Sequence, residues 1–72
     1  MKKISVLIAN RHATSVSLEE DFYDILLHIA KKRKTAVSTL ITKIDENRDT
    51  SCNLSSAIRI YILKYLLEQK EI

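Results

Sequence analysis

Four groups of residues in this 72-residue chain have side chains that could do chemistry. His28 stands four residues after Asp24, the spacing at which a helical carboxylate can orient an imidazole; no motif sets a nucleophile beside them, so an exposed helical ion pair is the favoured reading. Cys52 precedes a helix start, where a thiolate can be stabilised for redox work, but a solitary thiol reads more simply as a tolerated one. Tyr61 and Tyr65, one turn apart, could stack unpaired bases; their Ile and Leu neighbours assign them instead to core or dimer packing. Lys31-Lys32-Arg33-Lys34 concentrates positive charge that could meet phosphates, and that also suits the negative end of a helix dipole.

What the chain lacks narrows the chemistry further. With no glycine it has neither a phosphate-cradling loop nor a dinucleotide fingerprint, because a Cβ blocks close approach of backbone to phosphate. Its single cysteine excludes an internal disulfide and a cysteine-rich zinc site, and His12 and His28 lack ligand spacing. We therefore expect no catalytic residue, no metal and no cofactor, and read the chain as not an enzyme. One domain of this length buries only about 60% of its unfolded surface. With 46% hydrophobic residues to house, oligomerisation is the remaining source of stability.

The N-terminal run Ile4-Ser5-Val6-Leu7-Ile8-Ala9 is shorter than a secretory core of about 7 to 15 residues, and no long apolar stretch follows. The expected location is cytoplasmic, without membrane contact. Net charge is +3, which a dimer doubles.

Residues 1–18 form a strand region of one or two short strands, with Ile4, Val6 and Ile8, then Thr14, Val16 and Leu18, alternating with other residues. Asn10 is the turn candidate between them. A first helix is expected over 19–34, with Leu18, Phe22, Ile25, Leu26, Ile29 and Ala30 at helical spacing, capped by Ser17 or the acids after it. A second over 36–46 carries Val37, Leu40, Ile41 and Ile44, with Thr35 as its expected cap, and runs out into a polar stretch from Asp45 to Ser51. A third over 53–69 begins at Asn53. From Leu54 to Leu67 ten of fourteen residues are apolar, so this helix needs cover on most of its circumference, and a second copy is the expected source.

The stretch Thr14-Ser15-Val16-Ser17-Leu18-Glu19, followed by Phe22, Leu26, Ile29-Ala30, Leu40-Ile41, Ile44-Asp45, Arg48 and Asn53-Leu54-Ser55-Ser56-Ala57 with Arg59, resembles the small bacterial ribbon-helix-helix proteins of the Arc/MetJ/CopG type. The resemblance covers residues 14 to about 65. It implies a mainly α fold with a short N-terminal β ribbon and an additional C-terminal helix, one domain over 1–72, assembled as an intertwined homodimer whose two chains pair their strands. It implies that Thr14, Val16 and Leu18 face the helices and that the outward residues read bases in the major groove. By position the base contacts are Arg11, Ala13, Ser15 and Ser17, and the phosphate contacts are Lys34, Thr35, Ala36 and Ser38. The dimer core is Val16, Leu18, Phe22, Leu26, Leu40, Ile41, Ile58, Tyr61 and Tyr65. Three departures stand out. Ala13 replaces a side chain able to bond a base, so Arg11 is the better reader; Lys34-Thr35 replaces a glycine-containing connection; and Ala36 sits where a Ser or Thr cap is usual.

The implied function is sequence-specific DNA binding by a homodimeric transcriptional regulator, with double-stranded DNA and a second copy as partners and higher oligomers open. Two alternatives remain. One is an antitoxin-type regulator with a toxin partner, against which the apolar last helix argues; the other is a dimerisation or adaptor module that no longer binds DNA.

Overall fold

The computed structural model describes residues 1–8 and 12–69, and the side chains of all of these except Ile8 and His12. Asn10, the expected turn residue, and Arg11, the expected base reader, lie outside the described residues. The elements are strands β1 (Lys2–Ile8) and β2 (His12–Leu18) and helices α1 (Glu20–Lys32), α2 (Val37–Asn47) and α3 (Leu54–Gln69).

The two strands form one antiparallel ribbon within the chain, Lys2 opposite Leu18, Ile4 opposite Val16 and Val6 opposite Thr14. The resemblance implied that a second chain would supply the partner strand; here β1 supplies it. The physical reason is that only residues 9–11 separate the two strands in sequence, so pairing them costs little closure entropy. In this register Ile4 and Val6 fall on the same face as Val16 and Leu18, so closing a short loop builds one apolar face from a single chain. That face lies on the helices, with Val6, Val16 and Leu18 buried and Ile4 and Thr14 half-buried.

α1 is acidic in its first turn and basic in its last, which suits the helix dipole. Ser17 does not cap it, because Ser17 is still in β2. The cap residue is Glu19, whose side chain makes no cap bond and reaches α3 instead. At the start of α2 the cap position is Ala36, not Thr35, and no side chain caps it. The cause lies in the preceding turn, where Thr35 is still closing α1. α2 runs one residue past the expected end at 46, into the polar stretch, where Asn47 Nδ2 donates to the Lys43 carbonyl at 2.9 Å and holds the last turn. Asn53 caps α3 as expected, its Oδ1 accepting the Ser56 amide at 2.9 Å.

The core gathers residues of all five elements: Val6, Val16 and Leu18 from the ribbon, Leu26, Ile29 and Ala30 from α1, Leu40, Ile41 and Ile44 from α2, and Ala57, Ile58, Ile62 and Tyr65 from α3. α3 is apolar on both sides and covered on one. Ile58 and Ile62 are fully buried, whereas Ile60, Leu63, Leu66 and Leu67 are between 41% and 56% exposed. No helix among the described residues is long and apolar enough to cross a membrane.

Candidate nucleic-acid interface

Strand alternation divides the ribbon into two faces. Opposite the apolar inner face, Lys3, Ser5 and Leu7 of β1 stand directly across from Ser17, Ser15 and Ala13 of β2. All are exposed except Ser17, which is half-buried. The strand candidates Ala13, Ser15 and Ser17 thus form one side of a two-stranded platform. Sequence reasoning overlooked its other side. Lys3 and Ser5 share the face, and Lys3 brings the long cationic donor that Ala13 lacks. The signal was present in the alternation Lys3-Ser5-Leu7, in phase with Ala13-Ser15-Ser17.

The second group of candidates is built by the junction of α1 and α2. Arg33 closes α1, its amide donating to the Ile29 carbonyl at 2.9 Å. Lys34 follows at φ 57°, in the left-handed region, and is the only residue there among those described. Its amide donates to Lys31 O at 3.1 Å, and the Thr35 amide donates to Ala30 O at 3.0 Å. This pair of bonds is the Schellman closure of a helix, with lysine in the position glycine usually takes. α2 then starts without a side-chain cap and without an acid in its first turn, so its first amides face no competing carboxylate. Lys34, Ala36 and Ser38 are exposed there and Thr35 is half-buried.

Of the cationic cluster, Lys31, Lys32 and Lys34 are exposed and have no carboxylate partner among the described residues. Arg33 differs, because its guanidinium lies over both tyrosines, 5.7 Å from each ring centroid. Tyr65 is buried and Tyr61 half-buried, so neither ring is free to stack bases. Asp24 and His28 are both exposed and form no ion pair with each other, which corrects the helical pair expected from their spacing. Cys52 is a free, half-buried thiol whose carbonyl accepts from Arg48 at 2.6 Å. The residues assigned to a dimer core lie in or against the core of the single chain, Phe22 and Tyr61 at its half-buried margin. Among the described residues no three His, Cys, Asp or Glu side chains come together as a metal site would require.

One ion pair spans the fold. Arg59 of α3 donates through Nε to Glu19 Oε1 at 3.0 Å, with Nη2 at 2.9 Å, and its guanidinium stacks on Phe22. The Glu19 carboxyl is held below the ordinary range, first by its own main-chain amide and next by Arg59. The start of α1, directly after the ribbon, is thereby tied to α3.

An antiparallel ribbon with a polar outer face, followed by helices that bury its inner face, defines a mainly α ribbon-and-helix class of small domain. A family model described as a ribbon-helix-helix domain matches residues 1–66, and the chain belongs to that family. Members typically bind DNA as transcription regulators and dimerise. Comparison with curated proteins and with solved structures returned no match.

Proposed function

We propose that this protein is a sequence-specific DNA-binding transcriptional regulator that works as a homodimer in the cytoplasm, with the outer face of its ribbon in the major groove. The observation that carries this reading is the polar platform of Lys3, Ser5, Ser15 and Ser17 on a two-stranded ribbon. A B-DNA major groove about 12 Å wide admits such a ribbon, with neighbouring strands about 4.8 Å apart. Ser15 and Ser17 offer short hydroxyl contacts to base edges, Ala13 a surface for a thymine methyl, and Lys3 a donor for guanine. Arg11 remains a candidate reader on sequence grounds.

Lys34, Thr35, Ala36 and Ser38 are the proposed phosphate clamp. The uncapped start of α2 supplies amides, and the left-handed turn sets the Lys34 charge beside it. Positioning by phosphates and reading by strand are separable, and they give different signatures. Neutralising a phosphate contact lowers affinity for all sequences and the salt slope together, whereas removing a reader relaxes selectivity.

Selection of bound sequences from a random duplex pool tests the proposal. A defined motif is expected, with affinity falling steeply as salt rises. Ser15→Ala combined with Ser17→Ala should keep the fold and lose about 1 to 3 kcal/mol of discrimination at the bases those hydroxyls meet. Unchanged selectivity in that variant would rule out readout by β2.

A further inference from the structure

Between α2 and α3 the surface opens into a groove of about 700 Å³, none of whose lining belongs to the proposed base readers or phosphate clamp. Small-ligand sites span about 300 to 1,000 Å³. The floor is apolar: Leu40 and Ile44 come from α2, and Ala57, Ile60 and the Tyr61 ring from α3. The charged lining is strongly one-sided, with Arg33, Lys43, Arg48 and Lys64 against the single carboxylate of Asp49.

These cations are not equivalent. Arg48 is committed to the Asp45 carboxylate at 2.7 Å and the Cys52 carbonyl at 2.6 Å, and Arg33 to the faces of Tyr61 and Tyr65. Lys43 on α2 and Lys64 on α3, one from each wall, have no carboxylate partner among the described residues. Asp49 is engaged with its own loop, accepting the Ser51 amide at 3.1 Å. Tyr61, which lines the groove, carries the one buried side-chain polar atom among the described residues that lacks a hydrogen-bond partner, its hydroxyl. That hydroxyl is closed off from solvent, so what Tyr61 offers the groove is the rest of its side chain.

We propose that this groove binds a small amphipathic organic anion, its aliphatic or aromatic body on Leu40, Ile44 and Ile60 and its carboxylate, sulfonate or phosphate between Lys43 and Lys64. Each part of the lining selects against an alternative. An inorganic anion would leave the apolar floor wet, and a neutral apolar molecule would desolvate two ammonium groups without compensation. A second copy's α3 would bring two further cations, Arg59 and Lys64, against one acid, Glu68, into a groove that already holds four cations.

The full-length chain is titrated with 8-anilinonaphthalene-1-sulfonate, followed by fluorescence and calorimetry, and in parallel with N-phenyl-1-naphthylamine, which has the same rings and no anion. Saturable binding of one sulfonate per chain is expected, at least about tenfold tighter than the neutral probe, on a protein whose near-ultraviolet dichroism shows fixed packing. Lys43→Ala with Lys64→Ala should lose at least about tenfold of that affinity with an unchanged melting curve. Equal binding of both probes overturns the proposal, as does sulfonate binding indifferent to Lys43 and Lys64, which would seat the probe on the exposed leucines of α3. Competition by rising chain concentration overturns it too, because a second copy would then be the occupant. DNA binding shares no residue with these variants, so failure of that reading leaves this one separately decided.

Discussion

Lys34 holds a conformation that costs a residue with a Cβ about 1 to 2 kcal/mol. The chain accepts that cost because the junction needs it: two amides, those of Lys34 and Thr35, can close α1 only if the residue after the helix turns left-handed. A lysine there also sets positive charge at the negative end of α1. Lys34→Gly should therefore stabilise the fold by about 0.5 to 1 kcal/mol, the relief of strain being partly offset by the freer unfolded chain. In the proposed DNA complex it should at the same time weaken binding to all sequences and reduce the salt slope by about 1. Urea unfolding and a salt series measure the two; a destabilised variant with unchanged DNA affinity would remove the functional reason for lysine at this place. The unusual turn was legible in the sequence, because a chain with no glycine must make its helix junction from something else. The cap of α2 was not, because Thr35 is used up in closing α1 and only the hydrogen bonds show how many residues that closure takes.

At the scale of elements, α3 is fastened at its start and along its side. Asn53→Ala removes the bond to the Ser56 amide and should cost about 1 kcal/mol by denaturant unfolding. The side fastening is Glu19 with Arg59, forty residues apart in sequence. The folded state holds the Glu19 carboxyl below its ordinary value, first through its own main-chain amide and next through Arg59, so that stability is present in full above the unfolded value and lost as pH falls through the folded one. Stability should decline on acidification through the carboxylate range, and Glu19→Gln should flatten that decline. The part due to Asp49, lowered chiefly by hydrogen bonding from the Ser51 main chain, should remain. An acid titration of melting temperature on both proteins decides it; identical curves would mean that the pair is too solvated to matter. The ribbon shows where reading elements from sequence stops. Alternation identified strands on both sides of Asn10 and the faces of Val16 and Ser15, but it is the same pattern whether the partner strand comes from the same chain or another. Only the register, Ile4 opposite Val16, distinguishes the two, and with it came Lys3 and Ser5 on the outer face.

Across the whole molecule the two sources of closure, β1 and α3, change what dimerisation has to do. An intertwined pair would share one core, so separating the chains would unfold them. Here Leu18, Leu26, Ile29, Ile41, Ile58 and Ile62 are fully or almost fully buried by the chain's own elements, while Leu63, Leu66 and Leu67, beyond the groove, form an apolar face that no described element covers. The sequence already indicated that α3 needs cover on most of its circumference; the fold meets that need on one side with the chain's own core and leaves the other side exposed. The proposed homodimer then joins two folded chains through α3, and the association and the fold can be separated by mutation. Leu63→Glu with Leu67→Glu sets two charges on the exposed face and replaces no buried residue. By sedimentation this variant should run as a monomer under conditions where the parent is a dimer, with its helical dichroism and cooperative unfolding retained. Its affinity for a two-half-site duplex should collapse toward that of one half-site, because the second ribbon is no longer linked to the first. A variant that unfolds as it dissociates would instead return the intertwined arrangement, and one that stays dimeric would move the interface away from α3.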